Sequence, residues 1–405
     1  MNMNVLIRSL AVLAALTLSA AACGADDGAT VSVLDDDASG DASALDASGS
    51  TSGSASDSAS ASASASASAS ASASASASAP ADVATLVASE SDGGYDYAGN
   101  VDAHRLVVLD VCAIKELLPK DAAVDYDAVE AVYRDGVNSV NADGSVRTIA
   151  GFASRDDRNP AHQEFFGTAT PLDDFVSAAI AGTGTWEGEP DLVRRQGIEK
   201  GVQNQIMVAW VIHELNTAMT KVADGDIDPQ TGAPHNWDEG WAFYHGVDGS
   251  CGPFATANSR AGNFGTTGAD GETALANEMI LDAMIAGRDA LVDGDEEAAA
   301  VATTDALKGL SIVYSQATLR YAQVVEDDLA AGDEDAARIH QAEGWAFSRV
   351  MAPYLGEHGA DMDAIDAFYN LDAEPTDGGY ALVEAALQPA WDALGITAAD
   401  IGTLG

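Results

Sequence analysis

Apolar residues recur at three- and four-residue steps through most of the chain after Pro80, so the hydrophobic pattern predicts helices almost throughout. Tyr126 to Val140 (YDAVEAVYRDGVNSV) and Pro171 to Gly182 (PLDDFVSAAIAG) each show one such stripe. The run from Pro190 to Gly225 predicts a single long helix, with proline in the favoured first turn and glycine at its stop. Gly271 to Leu291, Ala298 to Gly332, Asp333 to Gly359 and Gly379 to Leu394 predict further helices. Strand-type alternation is scarce. Ser145 to Phe152 (SVRTIAGF) predicts a small hairpin arm, and the glycine-rich stretch from Gly246 to Gly271 predicts a long loop. The fold class expected is all-α, an antiparallel helical bundle.

One pentapeptide occurs twice within these helices. EGWAF spans Glu239 to Phe243 in HNWDEGWAFYHG, and Glu343 to Phe347 in RIHQAEGWAFSRV. Each copy follows a long helix that ends in an acidic turn, MTKVADGDIDP before the first and VEDDLAAGDED before the second. This predicts two pseudo-repeated helical hairpins whose return arms begin with the motif. A helix-interior glycine costs about 1 kcal/mol relative to alanine, so its repetition asks for a geometric reason. Removing the side chain lets another helix or a ligand come close. The segment is apolar around most of its circumference, which marks a buried helix, and its glutamate then needs a partner.

The chain before these helices has a different character. Residues 1–23 (MNMNVLIRSLAVLAALTLSAAAC) combine Arg8, an apolar run and small residues before Cys23. That is a secretory signal, too short for a membrane span, with a lipoprotein-type cysteine at which a lipid would be attached. Ala20 stands where such signals usually carry leucine. Residues 24–80, rich in Ala, Ser and Asp, have almost nothing to bury and are expected to form a disordered tether. The helical domain is expected over 81–405. The whole chain carries a formal charge of −46, with only 18 Lys and Arg, which excludes a nucleic-acid surface and predicts a solvated acidic one. Once Cys23 is set aside, Cys112 and Cys251 remain. In an exported protein such a pair is expected to form a disulfide, the alternative being two unrelated buried thiols.

Histidines accompany the repeated glutamates. His340 stands three residues before Glu343, His235 four before Glu239, and His213 adjoins Glu214 in the preceding long helix. Residues three or four apart share a helix face. Helical bundles build iron sites from inward-facing Glu and His, so Glu239, Glu343, His340, His213 and His235 are candidate metal ligands. A hydrogen bond from an aromatic or backbone group, or an arginine, would satisfy the same carboxylates without metal. HELNTAM has Thr217 where a zincin needs its second histidine. There is no nucleophile elbow, phosphate loop, haem-attachment motif or paired CxxC. Asp224 to Gly232 and Asp293 to Ala300 lack full calcium-loop spacing and read as acidic turns.

DEGWAFYHG, AEGWAFSRVMAPY and the helical framework between them resemble the low-iron-inducible periplasmic proteins of algae, an iron-assimilation family also found in bacteria. The likeness covers about Tyr95 to Leu394. It implies a secreted, non-enzymatic iron-binding protein that aids uptake, with Glu239 and Glu343 at the matching acidic positions. Its partners would be iron ions, the membrane through the lipid anchor, and an envelope iron transporter. A more distant similarity is to imelysin-like envelope proteins, whose GxHxxE motif His340 and Glu343 match in part; Arg338 replaces the glycine. The competing expectations are therefore an imelysin-like metallopeptidase or a metal-free surface scaffold on a stalk.

Overall fold

The protein is described by a computed structural model over residues 91–405. The secretory signal, Cys23 and the 24–80 tether lie outside the described residues, as does the start of the expected domain at 81.

Two short helices, α1 (Asp102–Arg105) and α2 (Val107–Glu116), lead into α3 (Tyr126–Asp135). Next come α4 (Ile149–Ala153), α5 (Pro160–Phe166) and α6 (Pro171–Ala181). The centre begins with α7 (Asp191–Lys200), which continues through a π-helical segment, Gly201–Ile206, into α8 (Met207–Ala223). α9 (Ala233–Tyr244) returns along α8. α10 (Pro253–Phe264) and α11 (Leu275–Asp293) precede the long α12 (Glu296–Ala331), along which α13 (Glu334–Ser348) returns. α14 (Ala352–Glu357), α15 (Met362–Tyr369), α16 (Gly379–Leu394) and α17 (Ala398–Ile401) close the chain.

The described residues form an all-α fold without strands, as the periodicity predicts. Isolated bridges such as Val140 with Val146 are its nearest approach to β structure. α12 lies at the centre. It buries Leu307, Leu310, Val313, Tyr314 and Tyr321 against α11, α13 and α16. Four of the aspartates have a local use as helix caps. Asp125, Asp295, Asp333 and Asp361 each accept a backbone amide at the start of α3, α12, α13 and α15. Each such cap contributes about 1 kcal/mol.

Three expectations need correction. The predicted hairpin arm at Ser145–Phe152 is a turn running into α4, because Thr148 caps that helix by accepting the Gly151 amide. The predicted loop from Gly246 to Gly271 contains α10, opened by Pro253 and closed by left-handed Gly265. The single helix from Pro190 to Gly225 is interrupted by the π-helical segment, where one extra residue per turn re-aims consecutive side chains. Gln203 donates to the Gly252 carbonyl and Gln205 to the Ala346 carbonyl, while Asn204 accepts from Thr256 and Tyr314 hydroxyls. All three of these successive amide side chains are buried.

Cys112 in α2 and Cys251 before α10 form the expected disulfide, with their Cα atoms 5.3 Å apart. Closing a sequence separation of 139 residues removes about 5 kcal/mol of loop entropy from the unfolded chain on the chain-entropy model.

Candidate metal centre

Pro234 sits in the first turn of α9, and the helix then carries His235, Asn236 and Glu239 on one face. Glu239 is 8 % exposed and lies between two imidazoles. His104 of α1 places Nδ1 at 2.8 Å from Oε1, and His235 places Nε2 at 3.2 Å from the same oxygen. Asn236 donates through Nδ2 to Glu214 of α8 at 2.5 Å and to Glu239 at 3.3 Å, so one amide bridges two carboxylates. The antiparallel packing of α8 and α9 produces this pairing.

The segment bearing His104 is fastened to α9 from the residue beside Glu239. Asp238 accepts the Tyr95 hydroxyl and the Gly99 amide, both at 2.7 Å. Arg105 pairs with Asp92, and the Asp92 carbonyl accepts the Trp241 indole N–H. The first EGWAF copy thereby grips the chain on both sides of its glutamate. Phe243 completes the surroundings, packing with Phe152, Trp210 and the His104 ring.

These groups open onto a cavity of about 650 Å³. Glu214, Glu239, His104 and His213 face it from one side; Arg147, Arg155, Arg158 and Lys221 face it too. In a chain with 18 Lys and Arg, four around one cavity is a marked local reversal of charge. Burial pushes the Glu214 carboxyl well above its usual range, and the neighbouring Glu239 charge adds to this. Burial acts on Glu239 in the same direction, but hydrogen bonds from His104 and His235 overcome it and hold that carboxyl well below the usual range. Burial, helped by Arg158 and Arg155, lowers His213 to about 4, so its imidazole is neutral at neutral pH.

The arrangement is two carboxyl groups, Glu214 pushed up and Glu239 held down, with His104 and His213 at the same cavity and His235 on the Glu239 oxygen. Oxygen and imidazole nitrogen together suit iron better than a thiolate-seeking metal. Buried polar atoms at the site lack protein partners: His235 Nδ1, Asn236 Oδ1 and one Arg147 terminal nitrogen. A cation held at Glu239 would draw the raised Glu214 carboxyl back down toward its ionised form.

The second EGWAF copy has other company. Glu343 forms a buried ion pair with Lys200 at 2.9 Å, and Lys200 also meets Glu199 at 3.2 Å. Arg195 closes the chain of charges at 2.5 Å from Glu199. His340 pairs through Nδ1 with Asp328 at 2.6 Å, and Arg338 with Glu189. The partners of Glu343 and those of Glu239 have no residue in common, so a shared centre for the two glutamates is not what these contacts build. Of the five candidate ligands, Glu239, His235 and His213 are gathered around the first motif; Glu343 pairs with Lys200, and His340 with Asp328, near enough to act on Glu343 as well.

The two glycines differ as well. A Cβ on Gly344 would lie 2.0 Å from Tyr369 Cε1, so this glycine admits a tyrosine ring. A Cβ on Gly240 would meet Leu215 at 3.5 Å, an ordinary contact.

His104 and the cavity arginines were not singled out by the sequence. The AHR tripeptide in α1 belongs to no motif, and His104 reaches Glu239 only through the fold.

The fold and the cavity define an all-α protein with a buried carboxylate–histidine cluster. The chain matches the family described as low iron-inducible periplasmic protein over residues 66–405, and it belongs to that family. No curated protein and no solved structure matches it. The family description places its members outside the cytoplasm. Among the described residues no helix is long and apolar enough to cross a membrane.

Proposed function

We propose that this protein binds iron outside the cytoplasm and aids its uptake, without acting as an enzyme. The observation that carries the reading is the cluster around Glu239, in which His104, His235, Asn236 and Glu214 converge on one carboxylate beside a cavity. Family membership supports iron as the metal. Glu239 would hold the ion, with the neutral His213 at the cavity wall. Ligand atoms of His104, His235 and Glu214 would be drawn in around the ion from positions that do not all lie within 4.8 Å of one another. The four basic side chains favour iron that keeps anionic ligands on its open side over a bare cation. Lipid attachment at Cys23 and delivery to an envelope transporter are part of the same proposal.

The experiment is titration of the metal-free protein with ferric and ferrous iron, read by calorimetry and absorbance, alongside Glu239→Gln and His104→Gln. Loss of one charged ligand is expected to weaken binding at least about ten-fold, with thermal melts showing the variants folded. Undiminished iron binding by the Glu239→Gln/Glu214→Gln double variant would overturn the assignment.

A further inference from the structure

A second cavity, of about 380 Å³, opens beside the other EGWAF copy and shares no lining residue with the Glu239 cavity. From it we infer a binding site for a small zwitterion of the α-amino-acid or dipeptide class with an apolar side chain.

Arg349, just after α13, lines this cavity. Its guanidinium stands over the Phe166 ring at 3.9 Å and the Phe175 ring at 4.6 Å, and among the described residues it has no ion-pair partner. Its Nε is fully buried and has no partner. Burial lowers this arginine to about 10 despite the charges of Asp366 and Asp174. A guanidinium is a planar fork of donors, and a carboxylate is the acceptor that matches it bidentately. Removing its partner from such a buried group is costly, so an open fork facing a cavity implies a ligand that closes it.

The other lining residues supply the remaining chemistry. Asp363, Asp366 and Asp372 stand at the rim. Asp366 accepts the Trp345 indole N–H at 2.9 Å and is thereby fixed in place. Phe165 is 41 % exposed, a large apolar side chain left open to solvent, and packs edge-on to Phe166. Met362 continues the apolar wall. A simple anion would be repelled by the three carboxylates, and a simple cation by Arg349. A zwitterion meets both, with its carboxylate on Arg349, its ammonium toward the aspartates and its side chain on Phe165 and Phe166. The volume falls within the usual range for small-molecule sites, about 300–1,000 Å³, and suits an amino acid or dipeptide.

The test is calorimetric titration of the full chain with phenylalanine, leucine and leucyl-phenylalanine. Phenylalaninamide lacks the carboxylate, N-acetylphenylalanine lacks the ammonium, and cellobiose serves as a neutral polyhydroxylated control. The zwitterions are expected to bind, with each singly charged analogue and the exposed-site variants Phe165→Ala and Asp363→Asn weaker by about ten-fold or more. Arg349→Gln should abolish binding, while iron titration of every variant stays as in the parent. The inference is overturned if no zwitterion binds at millimolar concentration, if the amide and acetyl analogues bind as well as phenylalanine, or if cellobiose binds instead. Because Glu239 takes no part, failure here leaves the iron reading untouched, and failure of that reading leaves this one standing.

Discussion

Replacing each EGWAF glycine by alanine separates two roles that the sequence makes look identical. At Gly344 the new Cβ would fall 2.0 Å from Cε1 and 2.6 Å from Cζ of Tyr369. That ring has nowhere to go: Tyr369 is fully buried, and its hydroxyl donates to the Thr318 carbonyl at 2.5 Å. Overpacking of this kind costs about 1–3 kcal/mol, and moving the ring forfeits a hydrogen bond of about 1 kcal/mol as well. Alanine recovers up to about 1 kcal/mol of helix propensity, leaving Gly344→Ala destabilised by about 1–3 kcal/mol. At Gly240 the nearest atoms are Leu215 side-chain carbons at 3.5 and 3.6 Å, so only the propensity term remains. Gly240→Ala is expected to be neutral or up to about 1 kcal/mol more stable. Urea denaturation of the metal-free proteins measures both. Adding Tyr369→Leu should rescue part of the Gly344→Ala loss in a double-mutant cycle. Equal effects at the two glycines, or a larger loss at Gly240, would refute the reasoning.

Two further outcomes follow from the charged groups. Burial raises Asp238 to about 7, against hydrogen bonds from Tyr95 and the Gly99 and Ala98 amides that act to lower it. Between the unfolded value near 4 and this folded value, the folded state keeps a proton that the unfolded state has lost. Its contribution is therefore fully present below about pH 4 and falls as the pH rises to 7, by at most about 4 kcal/mol. Asp238→Asn should flatten that part of the stability profile; parallel profiles for parent and variant would refute it. Glu343→Gln removes the charge that pairs with Lys200, and breaking a buried ion pair typically costs about 3 kcal/mol or more. Denaturation should show this loss while iron titration stays unchanged, and lost iron binding with intact stability would reverse the assignment of the two motifs.

What the sequence discloses here follows from the range over which each interaction acts. Helix periodicity is local, so the helices from Pro171, Ala298, Asp333 and Gly379 are legible, and the disulfide is legible because two cysteines remain in an exported chain. The π-helical segment is not, because Gly201–Ile206 keeps helical composition and differs only in where Gln203, Asn204 and Gln205 point. The carboxylates are legible in the same limited way: EGWAF fixes a glutamate one turn before a phenylalanine on a buried helix. It does not fix what the glutamate meets. For Glu239 that partner comes from α1, a short helix held in place by Tyr95 and Asp238. For Glu343 it is Lys200, at the last turn of α7 where the π-helical segment begins. Lys200 supplies a positive charge directly on Glu343, whereas Glu239 is met by the imidazoles of His104 and His235 beside a cavity. Identical pentapeptides therefore place two glutamates on buried helices without fixing what each one meets. Those partners come from elements that lie far away in the chain and carry no motif of their own.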